Sequence, residues 1–247
     1  AIDQPLPLGE TYYYALFATF TDTEPPQYKT SVAEVGSAAL GVAYETFSGG
    51  SDLSYTQILF TPVGQAASGG YTVTVTPGVR ELPQTPENAQ YGQLLEDDSQ
   101  GCGFSEPFPF MGEYHDYCWM AENGYLAFTE MPLDRSSYLN FPSGSSANVM
   151  PRICVAFADL SNISAGSIWV KGLPDRMVIT YDKLPVYGQY FYSNTAQVEL
   201  FYSGHIRITC LELTAEEIIV GVTDGQGIFY DPEVLLESGI LVPKVLD

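Results

Sequence analysis

Short runs of β-branched and aromatic residues, each closed by a turn residue, fill the stretch from Pro151 to Leu211. This alternation is typical of strands joined by turns. Ser203-Gly204 separates the last two runs and predicts a tight hairpin turn, because glycine readily adopts the positive φ that such a turn requires. No long helix fits between neighbouring runs, so we predict an antiparallel sheet. The predicted central strands are Ile153–Phe157, Ser167–Lys171, Met177–Tyr181, Gln197–Phe201 and Ile206–Leu211.

The same pattern continues on both sides of this stretch. Thr76–Gln93 contains three prolines and is predicted to be a long irregular crossing. Asp231-Pro232-Glu233 predicts a short helix that ends near Ser238, because Asp is a favoured N-cap and Pro suits the first helical position. We therefore predict an all-β fold, an antiparallel two-layer β-sandwich with one short C-terminal helix. The further predicted strands are Gly41–Phe47, Tyr55–Thr61, Tyr71–Thr76, Tyr117–Met120, Gly124–Thr129 and Glu217–Val222.

The chain of 247 residues shows no internal repeat and no linker, so residues 41–247 are predicted to form one β-sandwich module. Residues 1–40 contain an extended, proline-containing leader followed by Thr11–Phe20, which is apolar on both faces. Such a strand has to be covered on both sides. It belongs either to the sheet of its own domain or to that of a neighbouring subunit, as an assembly arm.

Charge limits the partners of this chain. It has 9 basic and 30 acidic residues and a net charge of −21. Such a surface repels nucleic acid and anionic lipid, and no apolar run approaches the roughly 20 residues that span a bilayer. We therefore expect a protein or a glycan as the partner, with no nucleic acid and no membrane span. The acidity is explained either by solubility or by a role in binding cations.

The chain has four cysteines, without a Cys-x-x-Cys motif or a Cys/His cluster of zinc spacing. Their even number and wide spacing indicate two disulfides formed in an oxidising compartment, which agrees with Ala1 as the start of a mature secreted chain. We prefer the pairs Cys102–Cys118, which flank one strand–turn region, and Cys154–Cys210, which lie in two core strands. The alternative is four buried free thiols.

Between Tyr44 and Ser238, short motifs follow one another in an order that resembles a β-sandwich module of large secreted bacterial proteins and, more loosely, nidogen-like extracellular domains. The resemblance implies a secreted structural or adhesive module, with no catalytic residues to carry over. One departure is Ala158, where these modules usually have a second Asp. The motifs are Thr46-Phe47, Ser51-Asp52-Leu53, Ile58–Pro62, Leu95–Ser99, Phe108–Gly112, Asn123–Phe128, Pro151-Arg152-Ile153, Phe157–Leu160, Pro185–Gly188, Asn194–Phe201 and Gly204–Thr209.

Motifs of catalysis are missing from the sequence. It contains no Gly-x-Ser-x-Gly, no His-Glu-x-x-His, no phosphate-binding glycine loop and no EF-hand loop. Its two histidines, His115 and His205, fall where ordinary surface positions are expected. Thirty acidic residues always supply candidate carboxylate pairs, so none can be singled out as glycosidase-like. We therefore do not expect an enzyme.

Two groups of residues are candidates for binding. Asp97 and Asp98, and Asp159 with Asn162 after a central strand, offer oxygen ligands of the kind that Ca²⁺ prefers, although an Asx-turn also explains the second pair. An aromatic loop is predicted to stack on a sugar or a protein, or else to cover the core. Its members are Tyr187, Tyr190, Phe191 and Tyr192. We expect a secreted, non-catalytic structural or adhesive protein of the cell surface or extracellular matrix. The alternatives are a filament or surface-layer subunit, and a carbohydrate- or calcium-binding module.

Deleting Ala1–Phe20 distinguishes the two hypotheses for the N-terminal strand. If the strand pairs with a neighbouring subunit, the shortened chain stays folded and monomeric. The intact chain then forms filaments in electron micrographs, because a head-to-tail contact between identical subunits that does not form a closed ring adds one subunit after another. If the strand completes its own sheet, the shortened chain unfolds. Discrete particles of the intact protein would exclude the filament hypothesis.

Overall fold

A computed structural model of the protein describes residues 42–48, 50–92, 94–95, 97–129 and 150–224. Within these residues the chain forms thirteen strands and one short 3-10 turn at Gln65–Ala67. The first seven strands are β1 Val42–Ser48, β2 Thr56–Pro62, β3 Tyr71–Pro77, β4 Gln90–Tyr91, β5 Ser99–Phe110, β6 Glu113–Ala121 and β7 Tyr125–Ala127. The others are β8 Arg152–Phe157, β9 Ser167–Leu173, β10 Arg176–Val186, β11 Gln189–Phe201, β12 Ile206–Glu212 and β13 Glu217–Thr223.

The strands form two antiparallel sheets. The order of the first sheet is β1-β13-β8-β7-β6-β5, and the order of the second is β3-β2-β12-β11-β10-β9-β4. The predicted all-β antiparallel architecture is thereby confirmed, and it agrees with a β-sandwich. The predicted helix at Asp231–Ser238 and the predicted strand Thr11–Phe20 lie outside the described residues. The described part of the chain contains no helix that is long and apolar enough to cross a membrane.

The strands predicted from Pro151 to Leu211 are all present, but they divide between the sheets. β9 to β12 are successive neighbours in the second sheet, whereas β8 lies in the first sheet between β7 and β13. The predicted Ser203-Gly204 turn joins β11 to β12, and Gly204 has φ 94°. Because sequential runs can pair with distant strands, their order along the chain does not fix which sheet each one joins.

The prediction of an aromatic loop before Asn194 was wrong, since Tyr190, Phe191 and Tyr192 belong to β11. The β10–β11 ladder changes register between Tyr181 and Val186 and then continues to Val186 opposite Gln189. Such bulges absorb an extra residue in one strand without ending the pairing. Lys183, with φ 56°, lies at the irregular point.

The proline-rich segment before Gly112 is also a strand, which the sequence did not predict. Pro107 and Pro109 lie in β5, the last strand in the described order of the first sheet. Proline is tolerated in such an edge strand because it need not donate to a neighbour on its outer side. The β5–β6 register shifts between Gly103 and Phe108, which accommodates the interruption.

One apolar core joins the two sheets, and Tyr181 shows how closely they pack. This fully buried side chain extends from β10 of the second sheet, and its hydroxyl donates to the main-chain oxygens of Ala121 (2.9 Å) and Tyr125 (3.3 Å) in the first sheet region. Burial raises the pKa of the Tyr181 phenol well above its ordinary value. The core therefore contains hydrogen bonds from one sheet to the other as well as apolar contacts. Its largest fully buried apolar members include Phe60, Phe108, Phe110, Met120, Ile153 and Leu126.

Side-chain amides hold the irregular crossing predicted over residues 76–93. Gln197 of β11 is fully buried, and its Oε1 accepts from the Gln84 N–H (3.0 Å) while its Nε2 donates to the Gln84 carbonyl (2.9 Å). Its Nε2 also donates to Thr180 Oγ1 at 2.7 Å. The Gln197 amide thus satisfies the main chain of Gln84, which lies outside the paired strands. The predicted crossing is not irregular throughout, since it contains β4, which pairs with β9.

A buried carboxylate lies two residues further along the same strand. The Glu199 side chain is 1% exposed and forms ion pairs with Arg176 (2.9 Å) and Arg207. The Arg176 contact is close but not aligned as a hydrogen bond. Both guanidinium groups also lie over the Phe201 ring, at 4.8 Å and 5.3 Å from its centroid. Two cations that share one carboxylate offset the cost of burying it.

The cysteines are buried free thiols in this structure. Cys102 and Cys118 are direct partners across β5 and β6, so the disulfide between them stays a prediction. Cys154 and Cys210 lie in different sheets and pack in separate apolar clusters. The predicted Cys154–Cys210 pair therefore finds no support, because the alternation along β8 turns Cys154 away from the shared core that contains Cys210. Burial raises the pKa of each of these two thiols to about 12.

The predicted Asn123-Gly124 turn connects β6 to β7 and permits a close approach of main chains. Gly124 has φ 81°, and its carbonyl accepts from the N–H groups of Val155 and Ala156, both at 3.0 Å. A Cβ atom at this position would lie 2.2 Å from the Ala156 oxygen. Only glycine can therefore occupy this position without moving β8.

We expect Gly124→Ala to lower the free energy of unfolding by about 3 kcal/mol or more, because left-handed strain and a main-chain clash add together. Gly188→Ala is the matched control. Gly188 has a similar φ of 69°, but a methyl group added there would meet no atom within 4 Å, so strain alone should cost about 1 kcal/mol. Urea unfolding of both variants measures the difference. Equal losses would contradict the close approach at Gly124.

Candidate functional site

The β10–β11 hairpin presents aromatic side chains to solvent. Gly188, with φ 69°, forms its turn together with Tyr187. Tyr187 is 53% exposed, Tyr190 61% and Phe191 80%. Tyr192 is half-buried, and its hydroxyl donates to Glu216 Oε1 at 2.9 Å. Three of the four predicted aromatic residues therefore lie in solvent rather than over the core, which favours contact with a partner over a lid.

Hydrogen bonds anchor this hairpin to the segment that follows β8. The Tyr187 N–H donates to the Asp159 carbonyl (2.7 Å), and the Ser161 N–H donates to the Pro185 carbonyl (2.9 Å). Leu160 and Val186 form an isolated antiparallel bridge between these bonds. The structure thus brings the predicted aromatic group and the Asp159–Asn162 segment to one place, although they are separate in the sequence.

Asn194 fixes the other side of the hairpin base. It is fully buried, its Nδ2 donates to the Leu184 carbonyl (3.0 Å), and its Oδ1 accepts from the N–H groups of Thr214 (2.9 Å) and Ala215 (3.0 Å). The irregular part of β10 and the turn after β12 are therefore held by one side chain. A surface whose base is fixed in this way loses little entropy when a partner binds.

A network of polar side chains lies beside the hydrogen bonds at the base of the hairpin, with Glu122 and Asn123 at its centre. Glu122 is fully buried, and its carboxylate accepts from the N–H groups of Asp97 (2.9 Å) and Asn162 (2.8 Å). Asn123 Nδ2 donates to Asp97 Oδ1 (3.0 Å), while Asn123 Oδ1 accepts from the Leu160 N–H (2.9 Å). Of the predicted cation ligands, Asp97, Asp159 and Asn162 are therefore brought together.

The Asp98 carboxylate does not join this network, although the Asp98 carbonyl accepts from the Glu122 N–H at 3.0 Å. Its Oδ1 accepts from the Ser99 N–H at 2.8 Å, and its Oδ2 lies 3.4 Å from the Leu95 nitrogen. The carboxylate thus closes its own turn in the manner of an Asx-turn. Asp97, with φ 55°, lies in the left-handed region, and this turn sends the two adjacent carboxylates in different directions.

The Asn162 amide meets two oxygens. One terminal atom of this amide lies 2.8 Å from Glu122 Oε1 and 3.1 Å from the Leu94 carbonyl oxygen. This atom is the amide nitrogen, which donates to both oxygens, so hydrogen bonds within the network satisfy these groups. Among the described residues, no three His, Cys, Asp or Glu side chains are placed to hold a metal.

Electrostatic repulsion within the network acts on Asp159. Burial, and after it repulsion from Asp97, raises the pKa of this half-buried carboxyl group above 3.8. Because the folded pKa exceeds the unfolded value, ionisation of Asp159 costs stability. The cost is absent well below pH 3.8, grows as the pH rises from 3.8 to the folded pKa, and is fully present above the folded pKa. A cation bound nearby would offset it at neutral pH.

Glu122, Asn123 and Asn194 were not predicted as site residues. Glu122-Asn123 directly follows the apolar end of β6, and Asn194 lies within β11. A polar residue that follows a run of apolar ones is the only signal that the sequence offers, and it is also the signal of an ordinary turn. Their role depends on partners in other strands, so it became visible only in three dimensions.

Comparisons with protein-family models, curated proteins and solved structures gave no match for this chain. The two features brought together here, the aromatic hairpin and the network around Glu122, define a candidate binding surface on an antiparallel β protein.

Proposed function

We propose that the chain is a secreted, non-catalytic structural or adhesive protein of the cell surface or extracellular matrix, and that its β10–β11 hairpin contacts the partner. The observation that carries this proposal is the exposure of Tyr187, Tyr190 and Phe191 on one anchored hairpin. Exposure of large aromatic side chains to water is unfavourable, and a partner that covers them on binding removes this cost. The resemblance to modules of secreted bacterial proteins supports the extracellular setting.

The surroundings of the hairpin favour a glycan over a protein as the partner. Aromatic rings stack on the apolar faces of sugar rings, and carboxylates accept hydrogen bonds from sugar hydroxyl groups. Asp159 contacts Tyr187 through its main chain, and Glu216 already accepts a hydroxyl group, that of Tyr192. With a net charge of −21, the chain repels acidic polysaccharides. We therefore propose a neutral glycan.

We expect native gels that contain mannan, xylan or a neutral β-glucan to retard the intact protein in at least one case. Tyr190→Ser combined with Phe191→Ser should weaken that binding about tenfold or more, because each lost aromatic contact contributes roughly 1 kcal/mol. The matched control is Tyr91→Ser combined with Tyr114→Ser, which removes aromatics of similar exposure, 60% and 59%, from other strands.

The control variant should bind as the unchanged protein does, and all three proteins should have the same melting temperature. Equal weakening by both double variants would overturn the assignment to the hairpin. Retardation by none of the neutral polysaccharides would overturn the glycan as the partner, and a protein partner would then be the hypothesis to test.

Calcium binding is a second candidate function, favoured by the carboxyl groups of Asp97 and Asp159, which lie close enough for repulsion from Asp97 to contribute, after burial, to the raised pKa of Asp159. Ca²⁺ binds carboxylate and main-chain carbonyl oxygens that converge, and it would offset this repulsion. Such an ion would lie next to the Asp159 carbonyl that accepts from Tyr187, and it would stiffen the base of the hairpin. The acidic composition would then serve cation binding as well as solubility.

Thermal melting with and without Ca²⁺ tests this second function. We expect millimolar Ca²⁺ to raise the melting temperature by several degrees at pH 7 and by less near pH 4, where carboxylates become protonated. Asp159→Asn should abolish most of the rise, because it removes one of the two carboxylates. Asp52→Asn, which removes an exposed carboxylate elsewhere, should preserve it. If no divalent ion shifts the melting temperature, calcium binding by this network is overturned.

A further inference from the structure

A second concave site lies apart from the hairpin. A cavity of about 280 Å³ opens between the β2–β3 connection and the β5–β6 turn. No residue of the aromatic hairpin or of the Glu122 network lines it. Its lining residues are Ala67, Ser68, Gly69, Gly70, Phe110, Met111, Glu113, His115, Pro151 and Asp224.

The wall formed by the β2–β3 connection offers few hydrogen-bond donors. The N–H groups of Ser68, Gly69 and Gly70 donate to the carbonyls of Gln65 (3.0 Å), Val63 (2.8 Å) and Ala67 (2.9 Å). A glycine-containing loop that binds an anion does so with main-chain N–H groups directed at the ligand. Here these N–H groups already donate hydrogen bonds within the loop, so they are not available to bind a phosphate or a carboxylate.

The β2–β3 connection and the β5–β6 turn, which form the cavity, are joined by a hydrogen bond, and both contain residues in an unfavourable backbone conformation. The Gly112 N–H donates to the Ala66 carbonyl at 2.7 Å. Ala66, Ala67 and Met111 have φ of 51°, 57° and 49°, a region that residues with a Cβ atom rarely adopt. Strained residues of this kind are concentrated at functional sites more often than elsewhere.

The floor of the cavity is aromatic and carries a neutral acceptor. The His115 ring lies 4.6 Å from the Phe128 ring, which in turn stacks on Phe110 at 4.5 Å. Burial lowers the pKa of His115, against the opposing effects of Glu113, the Phe110 main chain and Asp116. The imidazole is therefore uncharged at neutral pH, and its unprotonated nitrogen can accept a hydrogen bond.

We propose that this cavity binds the end of a small organic cation, an alkylammonium group on a short apolar chain. Glu113 supplies negative charge, and no Lys or Arg is among the described residues that line the cavity. Phe110 and Met111 supply an apolar wall for the methylene groups, and His115 supplies an acceptor for an ammonium proton. A metal ion fits less well, since the described residues hold no group of three ligating side chains.

Titration with 1,5-pentanediamine, followed by the NMR signals of the Met111 methyl group and the His115 ring, tests this proposal. We expect saturable shifts at these two residues. 1,5-Pentanediol has the same length without charge and should give none. Glu113→Gln should weaken diamine binding about three- to fivefold, as expected for one partly exposed ion pair.

Glu106→Gln is the matched control, since it makes the same substitution at an exposed position on the neighbouring strand β5 that does not line the cavity. It should leave the affinity within about twofold of the unchanged protein. Equal loss in the Glu113→Gln and Glu106→Gln variants would show general attraction to an acidic surface and would overturn the proposal. So would equal binding of the diol, or shifts at residues outside the cavity only.

Discussion

Buried side-chain amides that satisfy the main chain of distant loops hold this protein in shape. Asn123 binds the Leu160 N–H, Asn194 binds three main-chain groups around the base of a hairpin, and Gln197 binds both main-chain groups of Gln84. Each amide is 2% exposed or less. A sandwich built from sheets alone leaves its long crossings without ladder partners, and an unsatisfied buried polar group costs about 1–3 kcal/mol. The three buried amides supply hydrogen-bond partners for main-chain groups of these crossings.

The same constraint gives the candidate binding surface its rigidity. The β10–β11 hairpin is long and exposed, yet Asn194 and the Leu160–Val186 bridge hold its base on two sides. Asn123 ties the segment after β8 to Asp97 and so draws the carboxylates of Asp97 and Asp159 near each other. The anchoring arrangement therefore places the exposed aromatic residues beside the acidic network.

Sequence periodicity predicted nearly every strand, including both turns at Asn123-Gly124 and Ser203-Gly204, because these features depend on residues close together in the chain. It missed β4 and β5, the second of which contains prolines that are tolerated only at an edge. It ended β10 too early and began β11 too late, since a bulge carries the ladder past Lys183. The site was predicted in part. Exposure of Tyr187, Tyr190 and Phe191 follows the aromatic pattern, whereas Glu122, Asn123 and Asn194 act through partners in other strands.

The sequence by itself determined the strand-and-turn character, the strong negative charge and the grouping of aromatic residues before Asn194, because composition and local periodicity carry this information. Tertiary structure decided which sheet each strand joined, placing β8 in the first sheet and Cys154 away from the core that contains Cys210. It also decided that Asp97 and Asp159 share one network while Asp98 closes its own turn. The physical reason is that sheet order and side-chain direction depend on long-range pairing, in which one residue of register moves a side chain to the opposite face.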